Sequence, residues 1–220
     1  MIIGDGGHAR VIVDVIESGG EFEIAGFTGE GGASRETMFG YECFGLDEGL
    51  GTIFASGVQN AFVALGDNQK RCLSLERVRS IGFTLVNAIS PHAVVSMRAK
   101  LGRGIAIMPG AVVNAGARLG DGVIVNTNAG VDHDGILDDC CHIGPGAALA
   151  GRVQVGQGAF LGGGSVVVPG TIIGAWTTVG AGAAVIQALP AGVVAVGVPA
   201  RILRSNTATA SLCQKKDSFQ

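Results

Sequence analysis

His133 stands between two aspartates, Asp132 and Asp134, and His142 follows nine residues later, behind the adjacent thiols Cys140 and Cys141. Histidine has a reference pKa near 6.5, so at about neutral pH it can take a proton from an attacking amine or hydroxyl. A carboxylate beside it fixes the ring tautomer and favours the imidazolium that develops. The Asp-His-Asp run is therefore a candidate general base with its own orienting acid. A second candidate lies near the start, where Gly4-Asp5-Gly6-Gly7-His8-Ala9 joins a short apolar run to a helical pattern. Glycines there let the backbone approach a ligand, and the N–H groups of a helix start can hold a phosphate. The run satisfies the relaxed dinucleotide fingerprint, yet a segment of about 85 residues is too short for both halves of a full dinucleotide-binding fold. A mononucleotide or a nucleotide-sugar fits it better.

These residues need a scaffold, and the period of the sequence supplies one. From Ile89 to Val185 an aliphatic residue recurs at every sixth position, seventeen times without a gap. Four residues after each, the side chain is usually small, as at Ala93, Ala111, Ala129, Ala147 and Ser165. A period of six matches neither a helix nor a two-faced strand. It suits a solenoid whose short strands each send one large and one small residue inward. Pro109-Gly110, Pro145-Gly146 and Pro169-Gly170 keep one phase of the repeat, as turns would. His133 is the third residue of its hexad, a turn position from which a side chain projects outward.

Residues 1–88 read differently. A clipped strand over residues 1–3 precedes a helical pattern over 8–18, with Val11, Ile12, Val15 and Ile16 as its apolar stripe. Strand-like runs at 22–27, 61–65 and 83–88, and a helix over 68–80 capped by Asn68, complete an alternation that makes a small Rossmann-like parallel α/β sheet. The expected organisation is an α/β domain over 1–88, an all-β parallel solenoid over 89–200, and a tail over 201–220. In that tail, residues 201–204 form a last strand or turn and the polar remainder is disordered.

Composition narrows the function. A formal charge of -3 with no basic run argues against a nucleic-acid partner, whose phosphates demand a stripe of Lys and Arg. The first residues lack a basic leader, and no run reaches about 18 apolar residues, which argues against secretion and membrane insertion and for the cytoplasm. Five cysteines without a CxxC pair suggest reduced, mostly buried thiols rather than zinc ligands.

Taken together, the GGHA-type α/β domain, the hexads, Asn126-Thr127, Asp132-His133-Asp134, His142 and the closing Gly197-Val198-Pro199-Ala200 resemble the sugar O-acyltransferase family. That family includes sialic acid O-acetyltransferases and bacterial nucleotide-aminosugar N-acetyltransferases. The resemblance implies a left-handed parallel β-helix with three hexads per triangular coil, against the usual right-handed crossover preference. It also implies a homotrimer with active sites between subunits, and acetyl-CoA as co-substrate. By the same resemblance His133 is the catalytic base, Asp134 the acidic neighbour that raises its basicity, and Asn126 a polar member of that network. His142, Gly162, Gly163 and Ala181 would contact acetyl-CoA, small residues letting its pantetheine arm approach the backbone. Gly6, Gly7 and His8 would contact the nucleotide-sugar, with Gly66 and Gln69 in a turn that closes over it. Relatives often hold the nucleobase with paired aspartates where this chain reads Phe27-Thr28-Gly29-Glu30, which leaves Glu30 as the carboxylate.

The implied activity is acetyl-CoA-dependent N-acetylation of an amino group on a nucleotide-linked deoxyamino sugar, for lipopolysaccharide O-antigen or a similar surface glycan. Direct transfer is expected, since no cysteine or serine has a recognised nucleophile setting. O-acetylation of sialic acid or another sugar is the alternative enzyme reading, and a non-catalytic nucleotide-sugar-binding solenoid the alternative of another class. No metal is expected, because His92, His133 and His142 are poorly spaced for a three-histidine zinc site. His133 and His142 are half of an eighteen-residue coil apart, so they should stand on different sides of one prism and meet only between subunits.

Overall fold

The computed structural model describes residues 1–29 and 38–206. Glu30 and the tail beyond Asn206 lie outside the described residues. The chain begins with β1 (Ile2–Ile3), α1 (Gly7–Gly19) and β2 (Phe27–Thr28). A 3-10 turn at Asp47–Gly49 then runs into α2 (Leu50–Ala55), followed by β3 (Asn60–Val63), α3 (Asn68–Ile81) and β4 (Thr84–Leu85). The four strands form one parallel sheet in the order β2-β1-β3-β4.

Local chemistry explains where these elements depart from expectation. Helix α1 buries Ala9, Ile12, Val13, Val15 and Ile16, whereas Val11 faces solvent, because steps of about 100° place Val13 on the inner side and Val11 off it. It stops at Gly20, whose φ of 69° is open to glycine at little cost. Residues 22–26 make no strand; only Phe27 and Thr28 pair with β1. The N-cap of α3 is Asp67, whose side chain accepts from the Lys70 N–H. Asn68, expected as the cap, is the first helical residue and its side chain is used elsewhere.

The solenoid has three faces of parallel two-residue strands. The first face stacks Ala88–Ile89, Ala106–Ile107, Ile124–Val125, His142–Ile143, Phe160–Leu161, Thr178–Val179 and the longer Val193–Val196. The second stacks Val94–Val95, Val112–Val113, Gly130–Val131, Ala148–Leu149, Val166–Val167 and Ala184–Val185. The third stacks Lys100–Leu101, Arg118–Leu119, Ile136–Leu137, Gln154–Val155 and Ile172–Ile173. Each residue pairs with the one eighteen positions on, as Ile124 does with His142 and Gly130 with Ala148, except in the last rung of the first face, where Thr178 pairs with Val194. The second residue of each two-residue strand points inward, and from Ile107 to Val185 this column is buried without interruption. A terminal strand, Arg201–Ser205, returns antiparallel to Val193–Val196.

Two outer surfaces matter for the site. On the first face the outward residues Ala88, Ala106 and Ile124 share a core with Ile12, Ile16 and Phe62, which fixes the α/β sheet against the solenoid. Among the described residues no element packs over the second face, and its outward row is Val94, Val112, Gly130, Ala148, Val166 and Ala184, with no charge in it. Val94 and Val166 are half or more exposed.

Candidate active site

His133 lies at the edge between the second and third faces, in the turn after Gly130–Val131. Its Nδ1 is 2.9 Å from an Asp134 carboxylate oxygen, and Asp134 holds its place with a φ of 58°. The Asp132 carboxylate accepts from the His133 backbone N–H at 2.7 Å and from Asn114 at 2.9 Å, bonds that keep it below the usual carboxylate range. With Nδ1–H committed to Asp134, the lone pair sits on Nε2, the arrangement a base needs. The imidazole lies over Gly151, one coil further on. A Cβ built on Gly151 would come within 2.6 Å of the ring Cε1 and closer still to Nε2, so glycine there is the shelf on which the ring rests. The side chain is half exposed, as the turn register predicts.

His142 is placed differently. It points outward from the first face, is 9 % exposed, and packs edge-on against Phe160 with ring centroids 5.1 Å apart. Asn126 joins it: Nδ2 is 3.0 Å from His142 Nε2, while the Asn126 Oδ1 accepts from the Thr127 N–H at 2.8 Å. That second bond orients the amide, so Nδ2 donates and Nε2 must accept. The proton of a neutral His142 is then on Nδ1, toward the α/β domain. Within one chain Asn126 pairs with His142 and stands apart from His133: Asn126 is at the first–second edge and His133 at the second–third, so the expected network of the two could form only between copies.

His8, at the start of α1, is the next ring, 6.4 Å from His142 between centroids. It borders a cleft of about 560 Å³ whose walls include Gly6, Gly7, Gly29, Gly66 and Lys70. The first turn of α1 has no side-chain cap. Gln69 is not in this cleft; it lines a neighbouring cavity of about 270 Å³ with Asn68, Phe160 and Trp176, and Gly66 borders both.

Burial, reinforced by the Arg71 guanidinium, lowers His8 to about 4. Burial, Arg71 and His8 lower His142 to about 3, against a small opposing effect of the Gly66 backbone. Unfolded, both rings bind protons below about pH 6.5; folded, they do not until far lower, so acid favours the unfolded chain. Stability should be level above pH 6.5 and fall as pH drops toward 4, by at most about 1.4 kcal/mol per pH unit for each ring. Thermal midpoints measured down that range check it, and a midpoint that stays flat to pH 4.5 contradicts neutral burial.

Comparison with known proteins places this geometry. A family model described as the PglD N-terminal domain matches residues 1–78. GDP-perosamine N-acetyltransferase from Caulobacter crescentus, solved as a histidine-to-alanine variant with CoA and GDP-perosamine, is 45% identical; the match covers 91% of this chain and 94% of that one, with a TM-score of 0.89. This chain belongs to the hexapeptide-repeat nucleotide-aminosugar N-acetyltransferases. The acetyltransferase domain of PglB from Neisseria gonorrhoeae, solved with acetyl coenzyme A, is 35% identical over 92% of this chain and 97% of that chain, TM-score 0.84. WeeI from Acinetobacter baumannii, 24% identical over 92% of this chain and 98% of its own, TM-score 0.82, shares the fold.

In this N-acetyltransferase the first–second edge also carries Gly162, Gly163 and Ala181, stacked beyond Asn126. The lack of a side chain at Gly162 has a reason of its own: a Cβ there would lie 2.5 Å from the Ala181 nitrogen in the next coil. At Gly163 the nearest obstacle to a Cβ is the Pro145 carbonyl at 3.2 Å, so this glycine is less tightly required by packing. Among the described residues no group of three or more His, Cys, Asp or Glu could hold a metal ion, and no helix is long and apolar enough to cross a membrane. Sequence reasoning missed Gly151, Asn114 and Arg71. The first two were readable by counting one eighteen-residue coil from His133 and Asp132; Arg71 was not, because it reaches the solenoid from the other domain.

Proposed function

We propose that this chain transfers an acetyl group from acetyl-CoA to the amino group of a nucleotide-linked amino sugar, with His133 as general base in a homotrimer. The observation that carries the reading is the His133–Asp134 pair seated on Gly151, which leaves Nε2 as the acceptor at an outward edge. The amine nitrogen attacks the thioester carbonyl carbon and its proton passes to His133 Nε2. The tetrahedral intermediate then breaks its C–S bond, and the leaving CoA thiolate takes up the proton the imidazole holds. No covalent enzyme intermediate is needed: the hydrogen bond with Cys72 and then burial raise the Cys140 thiol, and burial raises the Cys141 thiol, well above their ordinary range, which makes them poor nucleophiles.

The nucleotide part fits the cleft at α1, where uncapped N–H groups and the nearby Lys70 suit a pyrophosphate. Assembly is supported by the second face. Its uncharged outer row is bounded by the Asn126–His142 edge on one side and the His133 edge on the other. Three copies packed by that row around a common axis bring the His133 edge of each beside the Asn126–His142 edge of the next, in a head-to-tail contact that closes. GDP-perosamine is the first acceptor to try, because the relatives 45% and 46% identical to this chain were solved with it. Thiol release from acetyl-CoA, with product mass and hydroxylamine stability to separate amide from ester, tests the reading. An alkali-labile ester product would move it to O-acetylation, and no thiol release with any nucleotide-linked amino sugar would end it.

A further inference from the structure

Arg71, on α3, is the largest wholly buried side chain, 1 % exposed. Its oxygen partners all lack formal charge. Nε donates to the Gly122 carbonyl at 2.8 Å, one terminal nitrogen to Leu65 and Gly66 at 2.9 and 3.2 Å, and the other to Asn68 Oδ1 and the Cys140 carbonyl at 2.8 Å. A longer contact of 3.4 Å reaches the Cys141 carbonyl. All five N–H groups of a guanidinium are thereby spent, and a positive charge is kept in the interior by backbone dipoles. Such a charge is costly to bury, and nothing in simple domain docking requires it, since the shared apolar core of the first face already joins the two parts.

The partners indicate what the arrangement does. Leu65 and Gly66 belong to the turn that borders the cleft, and Cys140 and Cys141 are the residues immediately before His142. Asn68 extends the same link, donating to the Gly158 and Ala159 carbonyls at 2.9 and 3.1 Å. We propose that Arg71 is a positioning residue of the acceptor site: by gripping the substrate turn on one side and the His142 coil on the other, it sets their spacing and so aims the His142 Nδ1–H at a substrate oxygen. This inference rests on the reading of the cleft as the acceptor site. The donor is in place, since His142 Nδ1 is buried and, among the described residues, finds no well-formed hydrogen bond, with the Gly66 backbone of the substrate turn as its nearby acceptor. The titratable and charged groups facing His142 are His8 from α1 and Arg71 from α3, and those around Arg71 are Asp67, Cys72, Cys140 and Cys141.

The test compares Arg71→Lys and Arg71→Met with the wild-type enzyme, each with acetyl-CoA and GDP-perosamine. Lysine keeps a charge but cannot hold both backbones at once; methionine keeps the stem alone. Both variants should lose about tenfold to a hundredfold in kcat, methionine the more, with KM for acetyl-CoA unchanged, as expected when reacting groups shift by about 1 Å. Nitrogen NMR of labelled histidine should find wild-type His142 neutral with its proton on Nδ1 between about pH 5 and 7, and Arg71→Met should shift the Nδ1 resonance as the Gly66 turn moves, while Asn126 keeps the tautomer. Wild-type turnover in the folded variants overturns the proposal, as does a wild-type spectrum with the proton on Nε2 or an imidazolium at about pH 6. Should Arg71→Met fail to fold, the lysine kinetics and the wild-type spectrum decide. Should the wild-type enzyme acetylate no amino sugar, the functional reading fails, and the spectrum still judges the positioning of His142.

Discussion

Replacing His133 with alanine lowers kcat by about 10²–10⁴ while leaving KM for acetyl-CoA nearly unchanged, the usual worth of general-base help. The expectation follows from what the side chain touches. It is half exposed at an outer edge and, among the described residues, its hydrogen bond is to its own neighbour Asp134, so little of the fold depends on it. The loss should therefore appear in turnover and not in the thermal midpoint. It should be a loss of the chemical step: with saturating substrates the variant still binds both, but the attacking amine has nowhere to place its proton. Steady-state kinetics against a panel of nucleotide-linked amino sugars measures this, and undiminished turnover would take the base assignment away from His133.

The second large effect comes from a residue with no side chain. Gly151→Ala should cut kcat by about a hundredfold, because the new methyl group enters the space of the His133 ring and a displacement near 1 Å is enough for such a loss. Gly151 does not share the left-handed backbone of Gly146 or Gly164, so alanine is conformationally acceptable there and the fold should stand. A double variant with His133→Ala isolates the cause. Once the imidazole is gone the methyl group has nothing to displace, so Gly151→Ala should add almost no further loss, a strong departure from additivity. Full additivity, or an active Gly151→Ala enzyme, would mean that the ring does not rest on this shelf during turnover.

The solenoid was legible in the sequence because each hexad repeats the same division of labour: Val131, Leu137 and Ile143 all point inward, in a column that the period holds without interruption. The outward placement of His133 followed from the same register. The α/β domain was less legible because its strands are two to four residues long and its helices are held by contacts from afar. Asn68 resembles a cap by type, but Asp67 one position earlier has the geometry, and Asn68 is drawn instead to Gly158 and Ala159 on the solenoid. The Asn126–His142 pair was hidden for another reason. A hydrogen bond between residues sixteen apart exists only when one coil stacks on the next, and single-residue chemistry does not reveal it. Arg71 lay furthest from view, since a lone arginine on a polar helix reads as a solvated charge until the chain has folded around it.

The claim on which the rest depends is that His133 and His142 reach one substrate only from neighbouring copies. It is tested by co-assembling His133→Ala chains with His142→Ala chains, each almost inactive alone, and measuring acetyl transfer by the mixed assemblies. Random assembly of equal amounts gives an intact pair wherever a His142→Ala copy supplies His133 and its neighbour, a His133→Ala copy, supplies His142, so activity should rise to about a quarter of wild type. A mixture no more active than its parents, in assemblies verified by native mass spectrometry to contain both chains, would contradict the shared site.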